Sequence, residues 1–220
     1  MNKTLVVRAM LGAALASATI AAQAAAVTLT GWTFGTGHHV GTSAPAFGGR
    51  AGGFTGTLSG AGAFDTTDFD TYCVELTEYF SFSATPMLGY DVVSGTVYFG
   101  VDRSERIGKL VTYVNANPGA VNTSAKSTSM QLALWNLIYD SDLSLATGAF
   151  RDTSGYAAYA STLLVASQAL SASAVDVFAL SKAGKQDFLL TASRVPEPGT
   201  LALGGLALAG LAALRRRRPR

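Results

Sequence analysis

Few side chains in this sequence can do chemistry, so each can be weighed. Cys73 is the one cysteine among 220 residues. A thiolate is a nucleophile and a metal ligand, but a single cysteine cannot staple its own chain. In an oxidising compartment it must be buried, paired with another chain, modified or reactive. The two histidines are neighbours, His38-His39. In a strand they point to opposite faces and rarely share a metal, so no metal site is expected. Asp65, Asp68 and Asp70 lack the spacing of an EF-hand loop and read as a solvated acidic turn. Glu75 and Glu78 face opposite ways in a strand, which argues against the paired carboxylates of a glycosidase. There is no Gly-x-Ser-x-Gly and no phosphate loop. No catalytic residue, cofactor or enzymatic turnover is expected.

The elements that must hold these groups can be read from periodicity. Residues from Val27 to about Phe64 are β-like, with Gly-rich turns at Gly48-Gly49 and Gly52-Gly53. Phe69 to Phe82 is the longest strand-like region. Period two puts Tyr72, Val74 and Leu76 on one face, and Cys73, Glu75 and Thr77 on the other. Tyr90 to Phe99 alternates again. Ile107, Leu110, Val111 and Val114 then recur at helical spacing behind a Ser104 cap, and Asn117-Pro118-Gly119 ends that helix. A second helix is expected over Met130 to Tyr139, capped by Ser127 or Thr128. It is apolar almost all round and therefore buried. A third runs from about Ser154 to Leu170. Val175–Leu180 and Phe188–Leu190 close the domain around Ala183-Gly184-Lys185. The fold class is α+β in a single domain: a β-rich N-terminal half, two or three central helices and C-terminal strands.

Two segments stand out within this plan: Tyr72-Cys73-Val74-Glu75-Leu76, and Gln131-Leu132-Ala133-Leu134-Trp135 on the second helix. An aromatic-Cys strand followed by Gln-x-Ala-aliphatic-Trp on a helix resembles the thioester domains of bacterial surface proteins. The resemblance spans about residues 70–140, with Arg106-Ile107-Gly108-Lys109-Leu110 similar to the intervening helix. It departs at Met130, where that family commonly has Thr. The resemblance implies an internal thioester between Cys73 and Gln131, with Tyr72, Ala133 and Trp135 shielding it. The thioester would wait for an amine or hydroxyl on an extracellular polymer, a single-use tether. The alternative is a structural or carbohydrate-matrix binding protein without covalent chemistry.

The chain ends speak about location. Lys3 and Arg8 precede an uncharged apolar stretch, which closes on Ala22-Gln23-Ala24-Ala25-Ala26. This is the three-part layout of a secretory signal peptide over residues 1–26. Residues 195–220 hold Val195-Pro196-Glu197-Pro198, an apolar run from Leu201 to Leu214, and the basic cluster Arg215, Arg216, Arg217, Arg218 and Arg220. The run is expected to form a short transmembrane helix with its arginines on the cytoplasmic side. Together these parts resemble the PEP-CTERM sorting signal. That resemblance implies passage through the secretion machinery, transient residence in the inner membrane and processing by an exosortase near Pro196-Glu197-Pro198. The product would lie at the cell surface or outside. Between the signals lie about 170 residues, enough for one domain with a real core. Residues 27–195 carry nine Lys/Arg against thirteen Asp/Glu, a net charge of −4. The basic excess belongs to the signals, and no nucleic-acid partner is expected.

Overall fold

A computed structural model of the chain describes residues 24–194. Residues 1–23 of the expected signal peptide, Pro196-Glu197-Pro198, the apolar C-terminal run and the arginine cluster lie outside the described residues, whereas residues 24–26, the end of that expected peptide, lead into and begin the first strand. Strands β1 (Ala25–Trp32), β2 (His38–Ala44), β3 (Ala46–Ala51), β4 (Phe54–Ser59) and β5 (Thr66–Thr71) fill the N-terminal part. Next come β6 (Met87–Ser94), the single turn α1 (Gly95–Tyr98), α2 (Val101–Ala116) and α3 (Ser124–Tyr139). The short β7 (Arg151–Asp152), α4 (Ala157–Gln168), β8 (Val175–Lys182) and β9 (Lys185–Ser193) complete the order. The result is a mixed fold of strands and helices with a β-rich N-terminal half. Among the described residues, no helix is long and apolar enough to cross a membrane.

Two antiparallel sheets form. One has the order β5-β4-β1-β6-β8-β9, the other β3-β2-β7. Alternation builds the first: Ala25, Val27 and Leu29 of β1 point into the core, as do Phe54 and Leu58 of β4. The large sheet then closes on itself. Just past β5, Leu189 N–H donates to the Tyr72 carbonyl at 2.9 Å, and Val74 N–H donates to the Asp187 carbonyl at 3.1 Å. Thr71 Oγ1 donates to the Leu189 carbonyl at 2.7 Å. These bonds join the first strand of the sheet to the last and leave no free edge there.

The expected strand over Phe69 to Phe82 is corrected here. Regular pairing stops at Thr71, and Cys73 makes one isolated bridge with Phe188. Residues 74–86 form neither helix nor strand. Aromatic packing holds this stretch instead: Phe80 lies edge-on to Phe54 at 4.8 Å and to Phe188 at 5.3 Å. The period-two face assignment fails with the strand, because Cys73, Val74 and Leu76 are all buried.

Helix α3 starts earlier than Met130. Thr123 caps it, accepting from Lys126 N–H, and every residue from Ser127 to Leu137 is buried. Its polar first half would be costly in an apolar interior without partners, and each polar group has one. Thr128 Oγ1 donates to the Ala51 carbonyl at 2.7 Å and accepts from His38 N–H at 3.1 Å. Ser127 Oγ accepts from Gly53 N–H at 2.7 Å. The helix is thus tied to both sheets through backbone groups.

Candidate functional site

The closing seam of the large sheet puts Cys73 directly against α3. Gln131 is fully buried, and its carboxamide pairs with the backbone of Cys73 in both directions. Cys73 N–H donates to Gln131 Oε1 at 3.0 Å, and Gln131 Nε2 donates to the Cys73 carbonyl at 2.7 Å. The amide plane therefore lies along the one residue that carries the thiol. Cys73 cannot complete a regular ladder because β5 has ended, so the glutamine side chain takes the place of a neighbouring strand.

Behind the pair, Tyr72 shares a hydrogen bond with Ser127 Oγ at 3.2 Å. Its ring sits over Gly53, where a Cβ would come to 2.9 Å of the ring, so a larger residue there would force the Tyr72 side chain to shift. Burial pushes the Tyr72 hydroxyl up to about 12. Ala133 is enclosed in the core. In front of the pair lies a cavity of about 220 Å³, lined by Cys73, Gln131 and Trp135 together with Glu75, Arg50 and Gln186. Aromatic rings from β1, β3, β4 and residues 79–82 complete the wall. The structure brings Cys73, Gln131 and Trp135 to one cavity and turns Tyr72 and Ala133 away from it.

Electrostatics at the site favour neutral forms. Burial, then the nearby Glu75 carboxylate, pushes the Cys73 thiol well above its ordinary value. Desolvation also raises Glu75. One Glu75 oxygen accepts from Asp187 N–H at 3.0 Å and the other from Thr77 Oγ1 at 3.1 Å. Asp187 is itself buried and accepts from Tyr98 Oη at 2.6 Å, Ser181 Oγ at 2.8 Å and Lys182 N–H at 2.8 Å. Glu75 was legible only as half of a carboxylate pair. Its place beside Cys73, and that of Gln186 from β9, depends on the seam and leaves no local signal. Ser127 and Thr128 look like caps to a local pattern, yet both are polar residues buried inside the helix.

His38 lies away from this cavity. Its Nε2 is 3.1 Å from Ser124 Oγ, and its ring lies 5.0 Å from that of Tyr156. Asp65 accepts from Ala61 N–H at 2.6 Å, and Asp70 accepts from Thr33 Oγ1 at 3.0 Å. Among the described residues, no group of three His, Cys, Asp or Glu is placed to hold a metal.

The site is one buried carboxamide held on the backbone of the one cysteine, where the seam of the large sheet meets a buried helix, beside an aromatic cavity. Comparison with known proteins bears on a different part of the chain. Residues 194–218 match the PEP-CTERM protein-sorting motif. The motif implies an exported protein, processed by an exosortase and located at the cell surface or outside the cell afterwards. Neither a curated protein nor a solved structure matches the chain. Residues 70–140 therefore rest on their own geometry.

Proposed function

We infer that the exported domain is a covalent tether, armed by an internal thioester between Cys73 and Gln131. The observation that carries this reading is the two-way hydrogen bond between the Gln131 carboxamide and the Cys73 backbone. It holds the amide against the cysteine in a water-poor site, which turns an unfavourable encounter into an intramolecular one. In the reaction the Cys73 Sγ–Gln131 Cδ bond forms and the Cδ–Nε2 bond breaks. The thiol proton leaves with Nε2 as ammonia. Cys73 N–H, already on Oε1, is positioned to stabilise the oxyanion that develops there.

A buried thiol needs a base. The titratable side chains lining the cavity besides Cys73 are Arg50, Glu75 and Tyr79. Of these only Glu75 is a carboxylate, so it takes the thiol proton and passes it to the departing nitrogen. A partner amine or hydroxyl then attacks Cδ. An amide or ester forms, the Sγ–Cδ bond breaks, and the nucleophile's proton returns to Sγ. Each molecule acts once and is not an enzyme. The partner is an extracellular polymer bearing amines or hydroxyls.

The test is the intact mass of the exported protein, collected without amines near neutral pH. The expected mass is one ammonia below that of the sequence. Methylamine should convert it to one methylamide, a mass one CH2 above that of the sequence with the thiol freed, and Gln131→Ala should show no ammonia loss. A full mass with one titratable thiol would reject the tether.

The same hydrogen bonds favour a second reading. In it Gln131 is a structural plug that satisfies the Cys73 backbone where the ladder ends. The domain is then a non-covalent structural or matrix-binding protein, and the full mass is its signature.

A further inference from the structure

The end of the secretory leader and the start of β1 overlap in the sequence, and the fold separates them. A leader is cut where small residues stand one and three positions before the broken bond. The run Ala22-Gln23-Ala24-Ala25-Ala26 offers two such registers. Ala22 and Ala24 allow a cut after Ala24. Ala24 and Ala26 allow a cut after Ala26. A cut after Ala25 would place Gln23 at the third position, where a small residue is needed. Nothing local chooses between the first two.

The folded domain does. Strand β1 begins at Ala25 and lies inside the large sheet, between β4 and β6. Ala25 is fully buried and pairs with Tyr90, which is fully buried as well. Tyr90 Oη donates to the Gln186 carbonyl at 2.9 Å, which ties this end of β1 to the last strand of the sheet. Ala26 is paired on both sides, with Ser59 of β4 and Leu88 of β6.

The two cuts therefore leave different products. A cut after Ala26 removes a core residue and the pairings of two, and it starts the chain at Val27. Val27 is fully buried, with Leu58 on one side and Met87 on the other. The new α-ammonium would stand between two strands, and a buried charge without a partner is costly. A cut after Ala24 keeps all of β1. It puts the ammonium at the strand's end, beside the exposed position of Ala24. In the folded chain the Ala24–Ala25 bond also lies at the border of the paired strand, while the Ala26–Val27 bond lies within it.

We propose that a signal peptidase reads Ala22 and Ala24 and hydrolyses the Ala24–Ala25 bond, so that the exported chain begins Ala25-Ala26-Val27. One water is consumed. Ala24 leaves with the new carboxylate, and Ala25 keeps the new amine. The leader is then residues 1–24, two residues shorter than the expected 1–26. Neither Cys73 nor Gln131 takes part, so this cut and the thioester stand or fall separately.

The experiment is N-terminal sequencing of the exported protein, made from the full chain with its own leader in a bacterial host. The expected reading is Ala-Ala-Val-Thr-Leu. A start at Val27, a start at any other residue, or a retained Met1 would overturn the proposal. Two substitutions sharpen the result. Ala22→Asp lies in the part removed and leaves the mature domain untouched; chains starting at Ala25 should fall about tenfold or more, because a charge replaces the small residue at the third position. Ala26→Val spoils the competing register with a branched residue that suits a strand, and the chain should still begin at Ala25. Unchanged processing of Ala22→Asp, or a leader left uncut in Ala26→Val, would also overturn it.

Discussion

The two sides of Cys73 are built on opposite rules. On the α3 side every buried polar group of the helix's first half is matched: Ser127 with Gly53, Thr128 with Ala51 and His38, and Gln131 with Cys73. On the cavity side, large aromatic faces line an open space beside Cys73. The first side reads as framework, because saturated hydrogen bonds fix one geometry. The second reads as a surface waiting for contact. The difference teaches where substitutions should cost stability and where they should cost binding instead.

The largest effect is expected from Gln131→Ala. It leaves both the N–H and the C=O of Cys73 unpaired in a buried site, at about 1–3 kcal/mol each. Urea unfolding should show a loss of about 4 kcal/mol; a loss below 1 kcal/mol would break the view of this side as framework. Phe80→Ala comes next. Phe80 packs edge-on against Phe54 and Phe188 although it lies in an irregular stretch. A half-buried aromatic should cost about 2 kcal/mol, read from the shift in the denaturation midpoint.

Ser127→Ala should cost about 1–2 kcal/mol through the unpaired Gly53 N–H. Tyr72 should then titrate closer to its ordinary range than about 12 only if the helix draws back and water enters. Absorbance titration of the phenol measures this.

Cys73 predicts a pH effect of smaller size. Its folded value is raised, so the folded state holds the thiol proton more tightly than the unfolded state. The stability from this group is complete below the ordinary thiol value of 9.0 and is lost as pH rises through the folded value. Stability of the thiol form should therefore fall above about pH 9 more steeply than that of Cys73→Ala, once the shared Tyr72 contribution is subtracted. The smallest effect sharpens the comparison from the other side. Tyr79→Ala should change stability by less than about 0.5 kcal/mol, as a side chain that is 68% exposed should.

Much of the helical part was legible because its signals are local. Ile107, Leu110 and Val111 repeat at helical spacing and are all buried on α2. The closing hairpin followed from two apolar runs around Gly184, which sits at φ +75° where glycine is at home. Helix α3 begins at Ser124, ahead of the Met130 start that local periodicity implies, for a physical reason. Ser127 and Thr128 look like caps to any local pattern, and only partners about 75 residues away in sequence make them interior residues. The strand through Cys73 is shorter than its alternation implies for the same reason: pairing with β4 ends at Phe54 opposite Thr71, and the backbone bonds to β9 stop at Val74.

The sequence alone determined that this chain is exported and sorted, because charge, apolar length and Pro-Glu-Pro punctuation act on the membrane and its machinery without any fold. It also singles out Cys73 and Gln131, by residue type and setting, as the pair on which the proposed tether rests. Only the tertiary structure decided that they meet, that Glu75 stands beside them, and that an aromatic cavity opens in front. Those facts depend on the closing of a sheet between β5 and β9, whose contacts link residues more than a hundred positions apart, beyond the reach of any local period.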